Sequence, residues 1–172
     1  SVQSVEPSAT AFSFQANGSK MIVLGSWTQT LYEYVFEETV APTITNVSSD
    51  TADGSYVTGD VIDIDVTFTE AVTSTGEVTV TLETGDGDRT CTFIISNASG
   101  GTCNYTVQAG DSSEDLTVKS ISGTIKDQAD NTMTDFTPAT NLADNKDLII
   151  ETVTPDISTL SVDAGEPSAT VS

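Results

Sequence analysis

Apolar and polar residues alternate along this chain, and this pattern narrows the range of possible folds more than any other feature. In "VIDIDVTF", which begins at Val61, every second residue is apolar, while Asp63, Asp65 and Thr67 take the alternate positions. The stretch "EVTVTLE" at 77–83 repeats the pattern. Because successive side chains of a strand point to opposite faces, this period of two predicts strands with one buried face and one face in water. The residues predicted to face inward are Ile62, Ile64, Val66, Phe68, Val78, Val80 and Leu82.

Clusters of Gly, Asp, Asn and Ser, such as "TGDGD" and "SNASGG", separate the strand-like runs and are typical of turns. No window has the 3.6-residue periodicity of an amphipathic helix. Seven short strands over about 110 residues predict an all-β chain whose core is an antiparallel β-sandwich of the immunoglobulin-like type. Besides the two stretches above, the predicted strands are 43–48, 90–96, 102–108, 116–125 and 147–152.

An internal repeat indicates where one unit ends and the next begins. The sequence "ETVAPTITNVSSD", from Glu38, returns as "ETVTPDISTLSVD", from Glu151, at an offset of 113 residues. One sandwich module is therefore expected at 42–151. The stretch 152–172 is expected to be a β extension, either the first strand of a following module or a strand that pairs with another subunit. The similar phrases "SVQSVEPSAT" and "SVDAGEPSAT", near the two ends of the sequence, also favour a continuing array.

Residues 1–41 are predicted to form a separate three-stranded β arm. Its first two strand-like runs meet at Asn17-Gly18, a pair that favours a tight hairpin turn because both residues accept positive φ. Three strands bury little apolar surface and leave unpaired edges. The arm is therefore expected to pair with a neighbouring module or with an identical subunit.

Several apolar residues are expected to lie at that interface. Tyr32, Tyr34 and Phe36 alternate along the third run of the arm, so that they share one face. Trp27 falls in the preceding turn, where it could anchor an interface, stack on a sugar, or pack beneath the hairpin. The C-terminal extension is expected to contribute Ile157, Leu160 and Val162.

The charge of the chain is strongly negative and excludes some partners. Five Lys or Arg residues stand against 26 Asp or Glu residues, which gives a formal net charge of −21. Such a surface repels nucleic acid and anionic membranes, because both carry phosphate charge. No run approaches the roughly 18–20 apolar residues that a membrane span requires. Two explanations of the charge stay open: a salt-adapted or extracellular surface, or carboxylates that cluster around calcium, a cation that prefers oxygen ligands.

The chain has two cysteines, Cys91 and Cys103. Both fall at inward-facing positions on strands predicted to be neighbours in one hairpin. A disulfide between them would cross-link the interior of the sandwich and would indicate an oxidising, extracellular compartment. The alternative is a pair of buried free thiols. A catalytic cysteine is not expected, because no base stands beside either residue.

Two parts of the chain resemble known bacterial repeats. Residues 42–151 carry "YVTGDVIDIDVTFTEAV", "NYTVQAGDSSEDL", "GTIKDQADN" and "NLADNKDLIIET" in that order, and so resemble the calcium-associated immunoglobulin-like or cadherin-like repeats of large bacterial surface adhesins. Residues 7–36 carry "FSFQANGSKMIVLG" and "LYEY", and look like one blade of a bacterial β-propeller repeat. A single blade implies missing neighbours or a reuse of the hairpin.

The adhesin resemblance implies a calcium site near one end of the module. Carried over by position, its ligands would be Glu70 in "FTEAV", Asp127 and Asp130 in "KDQADN", and Glu38 or Glu151 in the linkers. This chain departs from the family pattern twice, because Glu replaces the linker Asp and "ADN" replaces "AGN". An alternative stays open, in which Asp127 and Asp130 only cap turns through hydrogen bonds to the backbone.

Catalysis is not expected. Histidine is absent, so the commonest general base is missing, and the sequence has no GxSxG, P-loop or GxGxxG motif. Asp63 and Asp65 are predicted to face solvent, where nothing would raise the pKa of either carboxyl. The expected function is a non-enzymatic spacer module of a tandem-repeat bacterial surface protein. The alternatives are a filament subunit joined by strand addition, or a module that binds a surface glycan or protein.

Overall fold

The computed structural model describes residues 11–12, 20–24, 31–35 and 38–152. The first three ranges are strands β1 (Ala11–Phe12), β2 (Lys20–Leu24) and β3 (Leu31–Val35), which form one antiparallel sheet in that order. In its register, Phe12 lies opposite Val23 and Met21 lies opposite Tyr34. The predicted pairing of three strands in this part of the chain is therefore confirmed, and their existence as a separate unit stays a prediction. The predicted interface residues Trp27, Phe36, Ile157, Leu160 and Val162 lie outside the described residues.

The module that follows is a β-sandwich, as predicted. One sheet is built around β6, which pairs with β4, β9 and β12, and a second has β7 between β8 and β11. A third, small sheet has β13 between β5 and β10. The strands are β4 (Ile44–Ser48), β5 (Gly54–Tyr56), β6 (Val61–Ser74), β7 (Val78–Glu83), β8 (Arg89–Phe93), β9 (Ala98–Thr106), β10 (Ser112–Ser113), β11 (Thr117–Ser122), β12 (Ile125–Asp127) and β13 (Leu148–Glu151), with one helical turn, α1 (Leu142–Asn145).

The predicted alternation in β6 and β7 is present and builds the core. Ile62, Ile64, Val66 and Phe68 are buried along β6, and Val78, Val80 and Leu82 are buried along β7. Strand β6 continues to Ser74, six residues past the alternating run. A shift in the register with β9 follows Thr67, and the last residues of β6 then pair with β12. The core therefore lies between the sheets of β6 and β7.

Cys91 and Cys103 form a disulfide, and both residues are buried. Their strands do not form the predicted hairpin, because β8 pairs with β7 while β9 pairs with β6. The chain between them crosses from one sheet to the other, so that the disulfide joins the two sheets. Next to it, Gly101 leaves room for the ring of Phe93, since a Cβ at this position would lie 2.3 Å from the ring carbon Cε2.

Two further features differ from the sequence prediction. The predicted strand at 116–125 is divided into β11 and β12 at Gly123, where a Cβ would lie 3.3 Å from the Cα of Val78. Strand β13 runs parallel to β5, with Leu148 opposite Gly54, in a sandwich predicted to be antiparallel. Within the described ranges α1 is the only helix, and its four residues are far too few to cross a membrane.

Candidate metal-binding site

Three elements bring the carboxylates of Glu38, Glu70 and Asp127 together. Glu70 lies on β6, Asp127 is the last residue of β12, and Glu38 lies in the segment that leads into β4. Because β12 pairs with β6 so that Asp127 faces Val72, Asp127 and Glu70 lie close together. A carboxylate oxygen from each of the three residues falls within 4.8 Å of the other two. We call these three residues the joint cluster.

Asp127 organises the loop that follows β12. Its Oδ1 accepts hydrogen bonds from the backbone N–H groups of Ala129 and Asn131, both at 2.8 Å. Burial raises the pKa of this carboxyl, but the hydrogen bonds from Asn131 and Ala129 outweigh burial and hold the pKa below its ordinary value. The Asp127 side chain therefore caps the turn, as one of the two alternatives held, and it also lies in the joint cluster.

Asn131 fastens the incoming segment to this loop. Its Nδ2 donates to Asp127 Oδ2 at 2.7 Å, to Glu38 Oε2 at 3.1 Å and to the carbonyl oxygen of Glu38 at 3.0 Å. The segment around Glu38 is tightened further by a hydrogen bond from the Val40 N–H to Glu38 Oε1 at 2.7 Å. Sequence reasoning did not single out Asn131, although it closes the "KDQADN" motif that was used for Asp127.

The joint cluster concentrates negative charge. Burial raises the pKa of Glu70, and the charges of Glu38 and Asp127 raise it further. Among the ion pairs of the described residues, none involves a member of the cluster. Three mutually repelling carboxylates with no ion-pair partner in this part of the chain are a donor set suited to a hard divalent cation.

The other two residues implied by the resemblance lie elsewhere. The Asp130 side chain is 88% exposed and approaches Lys126 Nζ at 3.6 Å. Glu151 lies on β13 opposite Ser112. The Oγ1 of the adjacent Thr152 accepts a hydrogen bond from the Gly110 N–H. Gly110 lies close in sequence to Val107, whose N–H donates to the carbonyl oxygen of Asp60, the residue before β6. Glu151 therefore lies toward the first residues of β6, whereas the joint cluster lies toward its last residues.

A second group of carboxylates comprises Asp50, Asp63 and Asp65, and the sequence analysis did not predict it. Asp63 is not simply solvent-facing as predicted, because its carboxylate holds the loop after β4. It accepts from Asp50 N–H at 2.7 Å, from Thr51 N–H at 2.9 Å and from the hydroxyl groups of Thr51 and Ser49. Burial raises the pKa of Asp63, but these hydrogen bonds lower it by more. The carboxylate is thus engaged in holding structure.

Comparison with known proteins gives no relative from which a function could be transferred. No protein-family model, no curated protein and no solved structure matches this chain.

Proposed function

We propose that this chain is a non-enzymatic structural module of a bacterial extracellular surface protein, a rigid spacer in a tandem array, with a divalent cation at its N-terminal joint. One observation carries the proposal: Glu38, which belongs to the linker, meets Glu70 and Asp127, which belong to the sandwich. A cation held by all three would tie the linker to β6 and β12. The orientation of the preceding unit would then follow that of the module.

Calcium suits this donor set best. It takes six to eight oxygen ligands and tolerates irregular geometry, whereas magnesium demands a nearly ideal octahedron. Three carboxylates would supply at least three of these oxygens, and backbone carbonyl groups and water would supply the rest. The ion would also offset the repulsion that raises the pKa of Glu70.

The extracellular assignment is supported by the Cys91–Cys103 disulfide, because such bonds persist in oxidising compartments. The non-enzymatic assignment is supported by the state of the carboxylates. Asp63 is satisfied by the loop after β4, and Asp65 accepts a hydrogen bond from Thr102. The predicted filament and ligand-binding functions depend on the β arm and on the C-terminal extension, and they stay predictions.

Calcium binding can be tested by thermal unfolding of the full chain with excess calcium or with a chelator. A ligand at one hundred times its Kd stabilises the folded state by about 2.7 kcal/mol, which raises Tm by roughly 10 °C in a domain of this size. The Glu70→Gln variant should lose most of this calcium-dependent increase. In chelator, the same variant should unfold at an equal or higher temperature than the parent chain, because one repelling charge has been removed.

The matched control is Glu114→Gln, which removes a carboxylate from an exposed position between β10 and β11. It should keep the full calcium effect. An equal Tm with calcium and with chelator in the parent chain would contradict the proposal, and so would an unchanged calcium effect in Glu70→Gln.

A further inference from the structure

The first and last segments of the sandwich module lie side by side and run in the same direction. Residues 44–56 form one side and residues 139–151 form the other, and we call this contact the terminal seam. Its first part joins β4 to the segment before α1. Ala139 N–H donates to the Ile44 carbonyl oxygen at 3.1 Å, and Val47 N–H donates to the Thr140 carbonyl oxygen at 3.0 Å. Asn46 and Thr140 form a parallel bridge.

Side chains strengthen this first part of the seam. The hydroxyl group of Thr140 lies 2.6 Å from Asn46 Oδ1 and 3.2 Å from the Thr45 carbonyl oxygen. Asn145 Nδ2 donates to Asn46 Oδ1 and to the Val47 carbonyl oxygen, both at 2.8 Å. Two polar side chains of the C-terminal segment therefore hold consecutive residues of β4.

The second part of the seam continues to β13. Gly54 N–H donates to the Asp147 carbonyl oxygen at 3.0 Å, and Asp147 N–H donates to Asp53 Oδ1 at 3.2 Å. The ammonium group of Lys146 lies 3.3 Å from the same oxygen of Asp53. Strands β5 and β13 then pair in parallel, with Ile149 opposite Ser55 and Ile150 opposite Tyr56.

The direction of these segments decides how they respond to tension. Strand β4 is antiparallel to β6, so that it runs from the joint cluster toward the first residues of β6. Strand β5 leads into the turn before β6. Strand β13 is parallel to β5, and the residue that follows it, Thr152, lies beside Gly110. A pull on residue 38 draws β4 and β5 one way, while a pull on residue 152 draws β13 the other way. The two sides of the seam must then slide past each other.

When two strands are pulled in opposite directions along their length, all the hydrogen bonds between them bear the force at the same time. When they are pulled apart from one end, the hydrogen bonds break one after another. We propose that the terminal seam is the contact that resists unfolding when the module is stretched through its two ends. The proposal rests on the proposed function only in that neighbouring units would apply this tension. The module would then carry tensile force along an array as well as keep a distance within it.

The test is single-molecule stretching of the full oxidised chain, held at its two ends at constant force. The sandwich is recognised by a length increase of about 30 nm, from roughly 3.3–3.6 Å per released residue, with the 12-residue loop between the cysteines kept closed. Reduction of the disulfide should add about 4 nm. Thr140→Val and Asn145→Ala each remove side-chain hydrogen bonds from the seam, and each should shorten the folded lifetime under force about tenfold.

The matched control is Thr102→Val, which removes a hydroxyl hydrogen bond to Asp65 between β9 and β6, outside the seam. Its lifetime under force should stay within about twofold of the parent chain. Equal lifetimes in seam and control variants would overturn the proposal, as would a parent chain whose sandwich extends without a distinct unfolding step. Measurement in chelator separates the two proposals, because the seam contains no residue of the joint cluster. If the chain binds no calcium but the seam variants still shorten the folded lifetime, the proposed cation site is contradicted and the proposed role of the terminal seam is supported.

Discussion

Asp130 holds the loop after β12 in a left-handed backbone conformation, with φ of 68°. Glycine adopts such a conformation without strain, whereas a residue with a Cβ does so at a cost. The Asp130 side chain is 88% exposed, and its approach to Lys126 is an exposed ion pair worth little. The loop thus has a backbone conformation that favours glycine, although an aspartate occupies the position.

This conformation gives a prediction for two substitutions. Asp130→Gly should raise the free energy of unfolding by up to about 1 kcal/mol, because glycine relieves the left-handed strain. Asp130→Ala should lower it by about 1 kcal/mol, because alanine tolerates positive φ less well than aspartate. Urea unfolding of both variants and the parent chain in chelator measures the difference. A more stable alanine variant, or a less stable glycine variant, would contradict the described loop.

The residues of the candidate site were predictable only in part. The resemblance implied Glu38, Glu70 and Asp127 as ligands of one ion; their carboxylates do lie close together, and metal binding by them stays a prediction. The resemblance could not tell whether Asp127 or Asp130 would lie in the cluster. Both are aspartates, and the conformation of the loop decides which side chain points into solvent. Asn131 was missed because its role comes from three acceptors that only the folded loop brings within reach.

At the level of single elements, a buried carboxylate ties β8, β9 and the following turn together. Asp111 is 1% exposed, and it accepts from Arg89 Nε at 2.7 Å, from the Tyr105 hydroxyl at 2.7 Å and from Gln108 N–H at 2.9 Å. Burial raises the pKa of Asp111, but these three partners lower it by more. Burial and the neighbouring carboxylate raise the pKa of the Tyr105 hydroxyl.

Stability should therefore fall in acid. The folded-state pKa of Asp111 lies below its ordinary value of 3.8, so its stabilising effect is complete above that pH and is lost as the pH falls through the folded-state pKa. Asp63 and Asp127 act in the same sense. The variant Asp111→Ala should lose about 3 kcal/mol at pH 7, because Tyr105 and Arg89 are left without their acceptor.

The control for Asp111 is Asp88→Ala, which removes an exposed partner of Lys119 and should cost less than about 1 kcal/mol. Denaturant unfolding between pH 3 and pH 7 measures both variants. The free energy of unfolding of Asp111→Ala should depend less on pH below about 4 than that of the parent chain. An unchanged acid dependence in Asp111→Ala would show that other carboxylates account for the loss.

Elements with a long alternating pattern were predicted well, and short ones were missed. β6 and β7 were predicted with the correct inward faces because each has at least three apolar residues at a period of two. β5, β10 and α1 span two to four residues, too few for any period to emerge. The parallel pairing of β5 with β13 could not be predicted either, since alternation gives the face of a strand but not its partner or direction.

At the scale of the whole molecule, the negative charge and the contacts at the two ends of the module bear on how each end is held in place. The net charge of −21 makes an unneutralised joint costly, since Glu38, Glu70 and Asp127 add to an already negative field. At the other end, Thr152 Oγ1 accepts from Gly110 N–H at 3.0 Å and donates to the Asp111 carbonyl oxygen at 2.5 Å, which fixes the departing chain. Both ends of the sandwich are thus held by hydrogen bonds, and the terminal seam connects them.

A crystal structure of the full chain grown in calcium chloride would test the proposed joint. We expect a calcium ion bound by oxygens of Glu38, Glu70 and Asp127, at about 2.3–2.6 Å from each ligand atom. Calcium found only at Asp50, Asp63 and Asp65, or no calcium at the joint cluster in a well-ordered map, would contradict the proposed joint.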